Sequence, residues 1–277
     1  MRPRPEASAL GRIAGLLLSC CWASAGCDRL PATWVEPHTG LRLVRIAAGE
    51  FEMGSPADEA GREAQEVLHR VRITHPYYLG ATEVTQAQWA AVVGTRPSSF
   101  ATCGGDCPVE RVSWNDVQVF LRELGRISGM PFRLPTEAEW EYACRAGSQE
   151  AFHTGASLQP TQANIDGDGE ADSGPPHRAG SAPTPVAAFA PNAFGLFDMH
   201  GNVWEWTADD HCPYPAAPVR DPVGECATEF KVIRGGSWHY DASSARCALR
   251  YTHRPQDSGF SLGFRVALPA AALRRAT

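Results

Sequence analysis

The sequence predicts an irregular α+β domain with little regular secondary structure. Three observations point there: short stretches of alternating apolar residues that read as scattered strands, a few helices with well-marked starts, and long segments of Gly, Ser, Pro, Asp and Ala between them. With 277 residues and 43% hydrophobic content, the chain can bury a sizeable core. It has 26 Gly, 22 Pro and 8 Trp, so much of that core must be reached through ordered loops.

Taken in order, residues 1–27 read as a targeting segment. Arg2, Arg4 and Arg12 supply positive charge, Ile13 to Leu18 a short apolar core, and Ala23-Ser24-Ala25 a small-residue cleavage signal. Cleavage after Ala25 releases a soluble protein, whereas cleavage before Cys27 leaves a cysteine for lipid attachment, with Ser24 where a bacterial lipobox usually carries Leu. Residues 28–40 read as a linker, 41–268 as the domain and 269–277 as a C-terminal tail. Leu41 to Met53 alternates like two short strands, and Val67 to Tyr78 alternates again. Thr85 with Gln88, and Thr136 with Glu139, form capping-box patterns that start helices. Between them, Ser113 caps a helix from Trp114 to about Ser128, where Val117, Phe120, Leu121, Leu124 and Ile127 share one face. Gly129 and Pro131 end it. From Ala146 to Pro191 regular patterning dissolves. Phe194 to Trp206, Val232 to Trp238 and Phe260 to Leu268 then read as short strands.

Removing the leader takes out three Arg and one Glu, so the formal charge moves from −6 to about −8. An acidic surface argues against nucleic acid as a partner. Of nine cysteines, three lie in the leader and six remain, at 103, 107, 144, 212, 226 and 247. Export makes disulfides the default, and sequence-near pairs, Cys103 with Cys107 and Cys212 with Cys226, are the first expectation among fifteen connectivities. No C-x-x-C or paired-His spacing supports zinc.

Three clusters carry chemistry. In Asn192 to Trp206, Asp198 and Glu205 are hard oxygen donors, and Gly201 lets backbone carbonyls turn toward one centre, the mixture calcium requires. The competing expectation is a turn capped by Asp198 with Glu205 on a solvated strand. The acidic loop Asn164 to Asp172 lacks the bidentate Glu of an EF-hand and is either another calcium site or a solvated loop. Arg234-Gly235-Gly236-Ser237-Trp238 suits close approach of backbone to a ligand or positive φ.

Taken together, Gly49 to Ser55, Glu83-Val84-Thr85, Pro108 to Trp114, Arg133 to Glu141, Gly201 to Trp206, Arg234 to Trp238 and Gly263-Phe264-Arg265 resemble, in order, the motifs of the formylglycine-generating-enzyme, or sulfatase-modifying-factor, family. The resemblance implies a C-type-lectin-like fold organised by calcium. It places one site on Asp198, the carbonyls of Gly201 and Val203, and Glu205, and begins another at Asn164 and Ile165, with Asp166, Asp168 and Asp172 as candidates. It also implies a disulfide between Cys144 and Cys247. The family's enzymes oxidise a sulfatase cysteine with copper(I) held by two cysteines that follow the Gly-Gly-Ser segment. Here that stretch contains no cysteine and is shorter, with Tyr240 and Ala245 nearest the two positions, and copper(I) requires soft thiolates.

The expectation is therefore an exported domain of this family, a monomer, without copper chemistry. Its cleft, with Ser237, Trp204, His239 and Tyr240 as pocket candidates, would bind a peptide, protein or small ligand or serve a different oxidation. Contact with a membrane is expected only through a lipid at Cys27, at the cell surface or in the periplasm of a bacterium. The alternatives are an active formylglycine-generating oxidase and a non-haem iron oxygenase using His200, His211 and His239.

Overall fold

The computed structural model describes residue 1, residues 30–166 and residues 181–274. The leader beyond Met1, with Cys20, Cys21 and Cys27, lies outside the described residues, as do Asp168 and Asp172. The elements run β1 (Thr33–Val35), β2 (Arg42–Ile46), β3 (Gly49–Met53), β4 (His69–Ile73), β5 (Tyr77–Gly80), α1 (Gln86–Val93), α2 (Trp114–Ser128), α3 (Glu137–Arg145), β6 (Trp204–Asp210), β7 (Val219–Arg220), β8 (Lys231–Arg234), β9 (Tyr251–His253), β10 (Leu262–Gly263), β11 (Ala267–Pro269) and α4 (Ala270–Leu273). Among the described residues no helix is long and apolar enough to cross a membrane.

The three long helices start where the sequence marks them. Thr85, Ser113 and Thr136 each accept a hydrogen bond from the backbone of the third helical residue, and Gln88, Asp116 and Glu139 return one, so each start satisfies its own exposed amides. Helix α2 ends at Gly129 in the left-handed region, φ 71°. Its apolar stripe buries Phe120 against Trp89 and Phe264, with ring centroids 5.4 and 5.2 Å apart.

Strands are short and fall into three sheets, ordered β1-β2-β5-β11, β10-β6-β8-β9 and β3-β4-β7. The first joins the two ends of the domain, since Val44 pairs with Leu79 and Leu268 with Tyr78. In the second, Glu205 stands opposite both Gly263 and Arg234, so three separate motifs meet on one strand.

The structure corrects three boundaries. Residues 33–35, expected in a linker, form the edge strand β1, held by Trp34 stacked 6.2 Å from Phe132. The expected tail begins inside β11 and continues as α4, which buries Ala270 and Leu273. Phe194 to Val203 is a loop rather than a strand, because Gly195, Asp198, Gly201 and Asn202 all have positive φ, which no extended ladder accommodates.

Buried arginines hold the loops to this frame. Arg234 is fully buried, paired with Glu141, 3.3 Å from Glu137, and donates to the carbonyls of Cys247, Ala248 and Leu249 at 2.7, 3.0 and 2.8 Å. Arg250 forks onto Glu137 at 2.9 and 2.7 Å, and Arg246 onto Glu66 at 2.8 and 2.7 Å. Arg246 and Arg250 each match a carboxylate bidentately, Arg234 lies between two, and all three spend other donors on loop carbonyls, the arrangement that makes a buried charge tolerable. The disulfides Cys103–Cys107, Cys144–Cys247 and Cys212–Cys226 add covalent ties.

Candidate functional site

The corner before β6 is the centre of the site. Gly201, at φ 80°, lies so close to the Asn164 carbonyl that a Cβ would have no room. Its amide donates to Gly235 O at 2.8 Å, the Asn202 amide donates to Asn164 O at 2.8 Å, and the Trp238 amide donates to Asn202 O at 2.9 Å. Three segments distant in sequence are thus bound through backbone alone: Asn164–Ile165, Gly201–Asn202 and the Gly-Gly-Ser-Trp run.

Below this corner sits a group of buried carboxylates. Glu205 accepts from Arg265 at 2.6 Å on each oxygen and from the Trp140 indole at 2.7 Å. Asp198, at φ 54°, accepts from the Ala187 amide at 2.6 Å, and burial, with Glu205 next, pushes its pKa up to about 6 against the Ala187 bond and Arg265. Glu83 is fully buried, and neither of its carboxylate oxygens has a hydrogen-bond partner. Burial foremost, then the charges of Asp198 and Glu205, raises its pKa well above the ordinary value. Three carboxylates face one guanidinium, so the fully ionised cluster carries two excess negative charges. Such a surplus is held in a protein interior by a cation or by protons. Val203 is buried in the same corner. Asp166, by contrast, is exposed, and its amide donates to Tyr240 O at 2.8 Å.

Next to the corner lies a cluster of aromatic side chains, part of it exposed, at the place of the expected cleft. Trp204 is nearly buried, with Tyr240 edge-on at 5.6 Å and Tyr251 tilted at 5.7 Å. Trp238 contacts Phe100 at 5.3 Å, Phe260 at 5.7 Å and His239 at 5.1 Å. Tyr240, Tyr251 and Phe260 are 40%, 50% and 44% exposed, which makes them a ready stacking surface. Ser237 is fully buried beneath them, its hydroxyl accepting from the His239 amide at 3.4 Å. Of the pocket candidates, Trp204, His239 and Tyr240 stand together on the cleft, and Ser237 supports its floor.

Other expected ligands do not converge. His200 is buried; its Nδ1 bonds Ala245 O at 2.7 Å, while its Nε2 accepts from the His153 amide at 3.1 Å. His211 bonds Gln65 at 2.6 Å, and His239 lies in the cleft, so the three histidines proposed for iron are apart in role and setting. Among the described residues, one group of possible metal-ligating atoms lies within 4.8 Å of one another: Cys144, His200 and Cys247. It is already consumed, since both sulfurs form a disulfide and both ring nitrogens of His200 are bonded. Ala245 is buried, and Tyr240 offers only a phenol. All six cysteines among the described residues are disulfide-bonded, so this surface holds no thiolate pair for copper(I).

In the sequence Glu83, Glu110 and Arg265 stand only as parts of motifs and Phe260 only as the start of an expected strand, and nothing there points to Tyr251. Glu83 shows itself through burial without a partner, which spacing along the chain does not reveal. Glu110 is likewise buried, with one oxygen accepting from the Phe100 amide at 2.8 Å and the other unpartnered. Tyr251 and Phe260 reach the cleft from β9 and from the turn before β10, far along the chain from Trp204.

A domain with this frame, this glycine corner and this cleft is of one class with proteins already described. The sulfatase-modifying factor enzyme 1-like domain profile matches residues 33–270, and the chain belongs to that family. The formylglycine-generating enzyme of Bos taurus is 31% identical over 293 positions, covering 84% of this chain and 76% of that protein. The protein described as inactive C-alpha-formylglycine-generating enzyme 2 of Mus musculus is 35% identical, covering 68% of this chain and 56% of its own length. Among solved structures, PvdO from Pseudomonas aeruginosa superposes with a TM-score of 0.75 at 28% identity, covering 87% of this chain and 99% of that one.

Proposed function

We propose that the chain is an exported sulfatase-modifying-factor-like domain that binds a peptide or small ligand on the aromatic cleft and does not carry out copper(I)-dependent oxidation of a cysteine. One observation carries the reading. The two positions nearest the family's copper cysteines are Tyr240 and Ala245, and every cysteine among the described residues is disulfide-bonded. The family includes both active and inactive relatives, so membership leaves either outcome open. Export is supported by three disulfides in one chain, which persist in oxidising compartments.

Calcium belongs to the same proposal. Asp198 and Glu205, with the carbonyls of Gly201 and Val203, would hold it, and the partnerless oxygens of Glu83 beside them fit a hard cation. Asn164, Ile165 and Asp166 would contribute to a second site with residues outside the described ones. Bound calcium would supply charge compensation and hold the glycine corner; it would not take part in redox chemistry.

Incubating the purified protein with copper(I), oxygen and a Cys-x-Pro-x-Arg peptide tests the central claim. Mass spectrometry should show the peptide unchanged, and conversion of its cysteine to formylglycine would sink the proposal. Saturable chemical-shift changes at the indoles of Trp204 and Trp238 on adding peptide mixtures, lost in Tyr240→Ala, would support the cleft as the binding surface.

A further inference from the structure

A cavity of about 740 Å³, sharing no residue with the aromatic cluster, lies where α4, β11 and the loop after β7 meet the start of α2. Its floor is core: Ile73, Leu134 and Ala270 are buried, while Trp114, Val223 and Ala271 form a partly exposed rim. Its volume lies in the range of pockets that enclose a small molecule, and such pockets combine an apolar wall with a few orienting polar groups. Most neutral polar groups on this wall are already committed. Tyr77 donates its hydroxyl to Glu139 O at 2.7 Å, the Trp114 indole donates to Thr207 O at 2.9 Å, and the Thr136 hydroxyl accepts from the Glu139 amide at 3.1 Å. Gln118 is the exception, since its half-buried carboxamide makes no hydrogen bond among the described residues. It follows Trp114 by one turn of α2, so the two side chains share the face toward the cavity. The formal charges of the lining cancel. Arg133 forks onto Glu139 at 2.6 Å on each oxygen, and Asp221, an ionised carboxylate held by the Thr74 amide and hydroxyl at 2.7 and 2.5 Å, offsets Arg274 in the sum. His75 is the remaining ionisable side chain besides Tyr77 and is exposed at the rim. A wall without surplus charge offers no counter-ion to a charged head, which would give up its water uncompensated, whereas an uncharged head gives up far less and is met by one carboxamide.

We propose that this cavity binds an uncharged amphiphile, its apolar body against Trp114, Leu134 and Val223 and its hydrogen-bonding head at the Gln118 carboxamide. The site is independent of the aromatic cluster and of any activity there. Its chemistry is selective in two separable ways: the apolar wall supplies affinity, and the balanced charges with Gln118 favour a neutral head over an ionised one of either sign.

Calorimetric titration of the purified chain at pH 8 with octan-1-ol, octanoate and octyltrimethylammonium, below the micelle concentrations of the two ions, reads both. Octanol should bind with one-to-one stoichiometry, and each ion of the same chain length should bind at least about fivefold more weakly. Gln118→Leu should weaken octanol about fivefold by removing the partner of its hydroxyl. Asp221→Asn removes one negative charge from the lining at a left-handed position, φ 43°, that asparagine tolerates. It should strengthen octanoate several-fold relative to octyltrimethylammonium and leave octanol within about twofold. Ala271→Trp, at an exposed helix position on the rim, should weaken all three at least about tenfold. Val223→Trp, on the loop side of the rim, repeats that test should the first variant fold poorly, and the thermal midpoint of each variant checks its fold. Absence of one-to-one octanol binding, or an ion that binds as tightly as octanol, would overturn the proposal. So would octanol binding unchanged by Gln118→Leu or by both tryptophan substitutions, and so would a ratio of the two ions that Asp221→Asn leaves unmoved.

Discussion

Arg265, fully buried, joins three separate segments of this fold. It forks onto Glu205 and donates to the carbonyls of Gly80 and Phe197 at 3.0 and 3.1 Å, tying β6 to β5 and to the loop that holds Asp198. Removing one partner of such a pair leaves the other charge buried, and losses of about 3–5 kcal/mol follow. Arg265→Met should lower the urea-unfolding free energy by about that amount, whereas Arg126→Met, on an exposed pair of α2, should change it by less than about 1 kcal/mol. Asp209 makes a pH-dependent prediction. Burial, then the charge of Glu137, pushes its carboxyl up to about 7, although it accepts from the Gly224 and Glu137 amides at 2.6 and 2.7 Å. The folded state therefore keeps a proton that the unfolded chain releases near pH 4, so this group's contribution falls as pH rises from about 4 to 7. The slope is about 1.4 kcal/mol per pH unit. Urea midpoints measured across that interval should fall more steeply for the natural chain than for Asp209→Asn, and parallel curves would contradict the assignment.

At the scale of elements, the helices were the most legible part of the chain. A threonine or serine followed three residues later by a side chain that returns its hydrogen bond marks a start locally, and the 3.6-residue stripe of α2 states which face is buried. Thr136→Ala should accordingly cost about 1 kcal/mol, read by urea titration. The strands are less legible because apolar residues continue through loops: Phe194, Leu196, Phe197 and Met199 read like a strand, yet left-handed residues among them, Gly195 and Asp198, bend the chain away from any sheet. The site was legible in part. Asp198, Glu205 and the glycines stand within one sequence run, so their meeting can be anticipated. Glu83, Arg265, Tyr251 and Phe260 arrive from other elements, and no local pattern announces that. The two ends are illegible for a related reason, since β1 and α4 are too short to show periodicity and owe their order to packing. Gly201→Ala tests the corner that joins these segments: its Cβ would meet the Asn164 carbonyl from a left-handed backbone, and the thermal midpoint should fall by several degrees, with faster amide exchange at Asn202 and Trp238.

For the whole molecule, stability is distributed between a divided apolar core, buried ion pairs and disulfides. The bridge between Cys144 and Cys247 closes a loop with a sequence separation of 103 residues. Limiting the unfolded chain over such a span is worth roughly 4–5 kcal/mol in the chain-entropy account. The double variant Cys144→Ala/Cys247→Ala should lose stability of that order by urea unfolding under non-reducing conditions, far more than Cys103→Ala/Cys107→Ala. Under the calcium proposal, a chelator should lower the thermal midpoint of the natural chain, and Glu83→Gln should shrink that difference. An unchanged midpoint in a preparation shown by metal analysis to contain calcium would count against it.

The same bridge has a consequence for how the cleft can change. Residues 238–245 run between Ser237, fixed under the glycine corner, and Cys247, locked to α3 and gripped by Arg234. Ser237 accepts from the His239 and Tyr240 amides within the stretch, and Cys247 is bonded outside it, to Cys144 and Arg234. Trp238 and Ala245, at the two ends of the stretch, are buried and belong to the frame, whereas the side chains of residues 239–244 are exposed or half-buried and can change while that frame stays put. Substitutions at these exposed positions therefore alter the face of the cleft without reaching the buried residues that flank them.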